Sequence, residues 1–263
     1  MLRRLAFDDP PSRLALWSRR LALFSLVVAL IAIVLVRGGF VEAIAGVAVL
    51  GSALVVAVIA MLLAVGAFVV IWIHGSPGFG RALMALLIGV ALTSYPAYVL
   101  ARGYGLPAIS DITTDTADPP RFEAIAQLRS RGANSVNYPS GEVAQKQREA
   151  YPDLVPMALA VSVTDAYEGA LEVITARKWR IIDVRTPQGG RRDGRIEAVA
   201  LTTIMGFRDD VVVRVRAVQR GSRIDIRSAS RYGKHDLGSN ARRIRSLIEE
   251  IGENVETQPA AKR

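Results

Sequence analysis

Three long apolar stretches without a charged side chain dominate the first hundred residues of this 263-residue chain. They lie at positions 21–36, 43–73 and 82–101. A helix of about 20 apolar residues crosses a hydrocarbon layer about 30 Å thick. The sequence therefore predicts a transmembrane region over residues 1–102. Its three helices are expected at about 17–37, 45–71 and 82–101.

Basic residues are distributed unevenly around the first predicted span. Five arginines precede its uncharged apolar stretch at 21–36: Arg3, Arg4, Arg13, Arg19 and Arg20. The loop that follows contains Arg37 alone. Because short segments rich in Lys and Arg stay in the cytoplasm, the amino terminus is predicted to be cytoplasmic. Three crossings then carry the carboxyl-terminal half to the periplasmic side of a bacterial inner membrane.

Composition argues against several classes of site. The chain has no cysteine and two histidines, so thiolate zinc sites and iron–sulfur clusters are excluded, and no metal or cofactor is predicted. No acidic or basic residue lies deep in any predicted span, which argues against an ion pathway and hence a transporter. The carboxyl-terminal half is only mildly basic and has few aromatic residues beside its arginines, so no nucleic-acid partner is predicted.

Small residues recur along the second span at spacings of three and four. They are Ala53, Ala57, Ala60, Ala64 and Ala67. Such a seam lies on one helix face and lets another helix approach closely. Packing within the three-helix unit is the favoured interpretation, and an oligomer or assembly partner bound through the transmembrane helices is the alternative.

The carboxyl-terminal half has the pattern of an α+β domain. A stretch rich in Gly, Pro, Asp and Thr over residues 103–120 is predicted to be a linker. A folded domain over 121–255 and a disordered tail over 256–263 are expected to follow. Within the domain the apolar period indicates the order β-α-β-β-β-β-α. This order predicts one antiparallel sheet with the helices packed on one face.

Alternation along the last two strands assigns side chains to the two faces of the predicted sheet. Apolar residues can point to the helices, which leaves Arg214, Arg216, Asp225 and Arg227 on the opposite side. A structural lattice is the default interpretation, because oppositely charged cross-strand pairs stabilise a sheet. Recognition of an anionic ligand by this face is the alternative.

Five sequence features point to a known family. They are ISDITTDTADPPRF (residues 109–122), QREAYPDLVPM (147–157), Trp179, GFRDDVVVRV (206–215) and RIDIRSASRYGKHDLGSNARRIR (223–245). On these motifs, residues 109–251 resemble the DUF1499 family, a domain of unknown function found in bacteria and plastids. The preceding membrane segment is similar to the architecture of many bacterial members. The resemblance implies no catalytic residue or substrate.

Polar residues are concentrated between the last predicted strand and the last predicted helix. They are Ser228, Ser230, Arg231, His235, Asp236, Ser239 and Asn240. Backbone N–H groups at the start of a helix attract anions. One hypothesis is therefore a phosphate or carboxylate site at this turn, clamped by Arg227 and Arg231.

In the opposing interpretation, the same residues have a structural role. Asp236 and Asn240 fix the turn through hydrogen bonds to its backbone. Arg231 then pairs with a neighbouring acid such as Asp209 or Asp210. The two interpretations are compatible with each other.

The same segment also contains the residue types of a hydrolase. Ser228 or Ser230 would be the nucleophile, with His235 as the base and Asp236 orienting it, but a triad is recognised by geometry and no G-x-S-x-G motif frames either serine. No catalytic residue is predicted. The expected function is a membrane-anchored, non-catalytic binding or structural module that faces the periplasm and contacts an anionic envelope component. An envelope hydrolase and a membrane assembly partner are the alternatives.

Overall fold

A computed structural model of the chain describes residues 11–130, 132–139, 141–188 and 193–257. The chain divides into two compact units, with the boundary between Arg102 and Gly103. The basic residues Arg3 and Arg4 and the predicted tail from residue 258 onward lie outside the described residues.

From residue 11 onward, where the structure describes it, the first unit consists of three helices: α1 (Arg13–Arg37), α2 (Ala43–His74) and α3 (Phe79–Gly103). All three are long and apolar enough to cross a membrane, which confirms the three predicted helices. Each begins before or ends beyond the predicted span. Gly75 caps the carboxyl end of α2, and its positive φ of 66° allows its N–H to donate to the carbonyl of Ile71 at 2.8 Å.

The alanine seam of α2 is buried inside the first unit. A cluster of buried alanines joins the three helices: Ala15, Ala22, Ala60, Ala64, Ala67, Ala82 and Ala85. On α1, the Ser18 and Ser25 hydroxyls donate to the carbonyls of Ala15 and Ala22, so these polar groups are satisfied within their own helix. The seam thus provides close packing within the unit, as the favoured interpretation of its spacing predicted.

Among its described residues, the second unit contains ten elements of secondary structure. In chain order they are β1 (Asp111–Thr113), α4 (Ala124–Leu128), α5 (Glu142–Ala150), β2 (Met157–Leu159), α6 (Val163–Ala176), β3 (Arg180–Arg185), β4 (Gly194–Leu201), β5 (Arg208–Val218), β6 (Gly221–Ser230) and α7 (Ser239–Thr257).

The strands form one six-stranded sheet in the order β1-β6-β5-β4-β3, and β2 also pairs with β6. Every pairing is antiparallel. The predicted fold class is therefore confirmed: three apolar helices precede an α+β domain built on an antiparallel sheet.

Helices α6 and α7 pack on one face of the sheet and form the main core. The apolar residues of α7 recur at helical spacing, and Ile244, Leu247 and Ile251 are fully buried against the sheet. Val211 and Val213 of β5 face them from the sheet. Helix α6 begins after Ser162, whose hydroxyl accepts the N–H of Asp165 at 3.1 Å.

Strand β1 lies within the segment that the sequence predicted to be a linker. Residues 111–113 pair with β6, and all three are buried. Ile112 lies opposite Ser228 and joins the main core, whereas Asp111 lies on the other face of the sheet. Three residues are too few to show a strand period in the sequence, and it is pairing with β6 that makes this segment part of the sheet.

The face opposite α6 and α7 is covered in part by the chain between β1 and α5. Phe122 and Ile125 pack on Val199, Val212 and Ala229 in a second, smaller core. The fully buried carboxylate of Glu197 on β4 accepts the backbone N–H groups of Glu123 and Ile125, each at 2.8 Å. It thereby caps the short helix α4. Charged side chains surround this small core.

Candidate ligand-binding site

Three arginines on the face opposite α6 and α7 converge on one buried carboxylate. Arg214 of β5 lies directly opposite Asp225 of β6, and Asp225 is 0% exposed. Its Oδ2 accepts from Arg214 Nη2 at 3.0 Å and pairs with Arg216 Nη2 at 2.8 Å. Its Oδ1 accepts from Arg223 Nε at 2.8 Å. We call Arg214, Arg216 and Arg223 the arginine cluster.

A short acidic loop, residues 115–118, lies against the arginine cluster. The Asp118 carboxylate accepts from Arg216 Nη1 at 2.8 Å, and its backbone carbonyl accepts from Arg214 Nη2 at 2.7 Å. Asp115 pairs with Arg223 and also accepts the N–H groups of Ala117 and Asp118 at 3.0 and 2.9 Å. Asp115, Asp118 and Asp225 therefore balance the charge of the three arginines.

The arginines change the proton affinity of the exposed acid. Partial burial raises the pKa of Asp118, but the charges and hydrogen bonds of Arg214 and Arg216 outweigh it and hold the pKa below its ordinary value. Burial lowers the pKa of Arg223, whereas its hydrogen bonds and ion pairs with Asp225 and Asp115 raise it above the usual arginine value. Both shifts favour the charged forms of Asp118 and Arg223 at neutral pH.

Arg227 lies on the same face but is buried beneath the chain between β1 and α5, which we call the covering segment. The side chain is bidentate to Asp111, at 2.9 and 2.7 Å, and donates to the carbonyls of Pro120 and Val136. Its guanidinium carbon lies 4.6 Å from the centre of the Phe122 ring. These contacts leave the residue 1% exposed and make Arg227 part of the framework that holds the covering segment on the sheet.

Burial changes the pKa values of two groups near Arg227, Asp111 and Tyr138. Burial raises the pKa of Asp111 above its ordinary value, although the hydrogen bond and charge of Arg227 act in the opposite direction. Burial, together with the charge of Asp111, raises the pKa of Tyr138 to about 12. The phenol therefore stays protonated, and it donates to the Gln147 side-chain oxygen at 3.0 Å.

Arg231 also pairs with an aspartate on this face. Its Nε donates to Asp210 at 2.8 Å, and Arg129 Nε donates to the other oxygen of the same carboxylate at 2.7 Å. The Asp210 side chain is fully buried. Arg231 therefore has one of the two structural partners that the opposing interpretation proposed, so the two arginines of the hypothesised clamp are each held by a different aspartate.

Ser228, Ser230 and Asn240 meet on the face that carries the helices. Ser228 Oγ donates to Asn240 Oδ1 at 2.8 Å, and Asn240 Nδ2 donates to Ser230 Oγ at 3.0 Å. Arg243 Nη1 donates to Ser228 Oγ at 2.8 Å, and its Nη2 donates to Asp209 at 2.5 Å. Because successive residues of a strand point to opposite faces, the sheet separates these serines from Arg227 and Arg231.

His235 and Asp236 shape the turn that leads into α7. The Asp236 carboxylate accepts the N–H groups of Gly238 and Asn240, each at 2.8 Å. His235 Nδ1 accepts the N–H of Leu237 at 3.0 Å, and Leu237 has a positive φ of 52°. A side chain of the protein thus already occupies two of the N–H groups that an anion at this helix start would bind.

The sequence did not identify several residues that complete these ion pairs. They are Asp111, Asp115, Asp118, Arg129, Arg223 and Arg243. Arg223 could have been found, since it is two residues before Asp225 on the same strand and so shares its face. Asp115 and Asp118 have the composition of a polar turn, and no sequence signal showed that this turn contacts the arginine cluster.

Within the residues that the structure describes, no group of three or more His, Cys, Asp and Glu side chains could hold a metal ion.

The family model described as "Protein of unknown function (DUF1499)" matches residues 111–251, from β1 into α7. This match covers more than half of the chain and confirms the resemblance seen in its motifs. No curated protein and no solved structure matches the chain.

Proposed function

The chain belongs to the DUF1499 family, and on this premise we propose that it is a membrane-anchored, non-catalytic binding module. In this proposal α1, α2 and α3 cross the inner membrane and deliver the DUF1499 domain to the periplasmic side. The arginine cluster there binds an anionic component of the cell envelope. The convergence of three partly exposed arginines on the buried Asp225 is the observation that carries the proposal.

The helices support the membrane part of the proposal. Each of the three is long and apolar enough to span a bilayer, and a run of large apolar side chains on their surfaces is exposed, including Leu30, Leu62 and Leu87. Such surfaces are stable in lipid and unfavourable in water. Arg13, Arg19 and Arg20 precede or begin the first span, which favours a cytoplasmic amino terminus.

The geometry of the arginines supports the binding part of the proposal. Asp225 holds three guanidinium groups in fixed positions, so little side-chain entropy remains to be lost when an anion binds. The Arg214 and Arg216 side chains are 14% and 25% exposed. They are therefore partly desolvated yet still accessible, a setting in which charge-assisted hydrogen bonds are strong.

The hydrolase alternative has less support in the geometry. In a Ser-His-Asp triad the histidine contacts both the serine and the aspartate. Here Ser228 donates to Asn240, and His235 Nδ1 accepts from a backbone N–H group. Asp236 uses both carboxylate oxygens to cap α7. These contacts favour a structural role for the three residues, so we propose binding rather than hydrolysis.

Replacing Arg216 by glutamine is expected to weaken phosphate binding about tenfold or more, because a hydrogen bond to a charged group contributes about 1.5–3 kcal/mol. The affinity for inorganic phosphate is measured by isothermal titration calorimetry of the full chain in detergent micelles at fixed ionic strength. Arg245→Gln is the matched control, since Arg245 is a partly exposed arginine paired with Asp153 outside the cluster. Equal affinities for the two variants would contradict the proposed site.

A further inference from the structure

Asp118 differs from the other two acids of the arginine cluster in exposure and in contacts. Its side chain is 61% exposed, whereas the side chain of Asp115 is 13% exposed and that of Asp225 is fully buried. Asp115 also holds two N–H groups of its own loop. In the described part of the chain, the carboxylate of Asp118 pairs with Arg214 and Arg216 alone. It is therefore the acid that can leave the cluster most easily.

The Asp118 carboxylate offers Arg214 and Arg216 only one acceptor oxygen between them. A single oxygen, Oδ2, is 2.8 Å from Arg216 Nη1 and 3.2 Å from Arg214 Nη2. Planar guanidinium groups bind best when each meets two acceptor oxygens in a fork. A tetrahedral phosphate group has enough oxygens to give each arginine its own acceptor. Phosphate thus fits the pair of arginines better than the carboxylate that occupies them.

Departure of Asp118 would leave the cluster with unbalanced charge. Arg214, Arg216 and Arg223 would then face two acids, Asp115 and Asp225, and one positive charge would be in excess. The movement requires only rotation of an exposed side chain, because Asp115 holds the loop backbone independently. Exposed ion pairs of this kind contribute little to stability, so an incoming anion competes with a weak contact.

We propose that Asp118 occupies the position of a phosphate ligand and is displaced when a phosphate group binds to Arg214 and Arg216. The inference rests on the proposed function and adds the class of ligand and an internal competitor. The phosphate belongs either to a lipid headgroup or to a free phosphate compound. In the absence of the ligand, the acidic loop keeps the arginines paired.

The test compares Asp118→Asn with Asp153→Asn in the full chain in detergent micelles. Asp153 is the matched control, because its side chain is 52% exposed and it pairs with one arginine, Arg245, at 2.5 Å. Removing the negative charge of Asp118 from beside two arginines is expected to tighten binding of inorganic phosphate about tenfold. The control variant is expected to bind like the wild type. Calorimetric titration at constant pH and ionic strength measures both.

A second titration distinguishes the two sources of phosphate. Dihexanoyl phosphatidate, a soluble short-chain lipid, replaces inorganic phosphate as the probe. Tighter binding of the lipid assigns the site to a headgroup, and equal binding of the two probes assigns it to free phosphate. Either result supports displacement of Asp118, provided that Asp118→Asn strengthens binding of the probe.

Two different outcomes would separate failure of this inference from failure of the proposed function. If Arg216→Gln weakens phosphate binding but Asp118→Asn leaves it unchanged, the cluster binds anions and the role of Asp118 is wrong. If neither substitution changes phosphate binding, the arginine cluster is not an anion site, and both proposals are overturned.

Discussion

Replacing Arg227 by methionine is expected to lower the free energy of unfolding of the DUF1499 domain by about 3–5 kcal/mol, the usual cost of breaking a buried ion pair. The variant leaves Asp111 buried without its bidentate partner. It also removes the hydrogen bonds to Pro120 and Val136 that hold the covering segment on the sheet. The residue is thus expected to matter more for stability than any exposed arginine.

Trp179 provides the measurement. The chain has three tryptophans, and replacing Trp17 and Trp72 by phenylalanine leaves one that reports on the domain during urea unfolding in detergent. Arg245→Met is the control, with an expected loss of no more than about 1 kcal/mol because Arg245 forms an exposed pair. A similarly small loss for Arg227→Met would show that the pair with Asp111 is not a main support of the fold.

Replacing Asp210 by alanine is the second large effect. Its carboxylate lies between two arginines whose side chains are less than a tenth exposed, Arg129 at 2.7 Å and Arg231 at 2.8 Å. The variant leaves two guanidinium groups buried without a carboxylate, and a loss of about 3–5 kcal/mol is expected in the same fluorescence assay. Asp153→Ala, which removes an exposed acid, is the control.

A second substitution checks the cause of that loss. Adding Arg129→Leu to Asp210→Ala removes one of the two unpaired guanidinium groups and is expected to recover part of the lost stability. If Asp210→Ala destabilises the domain no more than Asp153→Ala does, the paired charges contribute little there. No recovery in the double variant would show instead that the loss comes from the cavity.

The sequence correctly predicted those features that depend on a single helix or strand, because each such element leaves its own hydrophobic pattern in the sequence. The apolar stretches predicted α1, α2 and α3, because burial in lipid constrains every residue of a span. Alternation along β5 and β6 placed Arg214, Arg216 and Asp225 on one face, and the pairing register confirms this placement. In these cases the spacing of apolar residues along one element is enough to predict its structure, and contacts with distant parts of the chain need not be known.

The rest of the site depends on contacts between segments far apart in the sequence. Asp118 meets Arg214 and Arg216 only because β1 is paired with β6 and carries the acidic loop to the arginines. Arg129 reaches Asp210 from the covering segment in the same way. The spacing of residues within the acidic loop, or around Arg129, does not show which distant residue each will contact. The turn hypothesis also grouped Arg227 with Ser228, although neighbours on a strand point to opposite faces.

Topology mapping tests the central claim, that three crossings carry the DUF1499 domain to the periplasmic side. The chain has no cysteine, so Ser76→Cys, between α2 and α3, and Thr257→Cys, at the end of α7, each introduce a unique thiol. In spheroplasts of a Gram-negative host, a membrane-impermeant maleimide is expected to label position 257 directly and position 76 only after lysis. Labelling of position 76 from outside, with position 257 protected until lysis, would contradict the account.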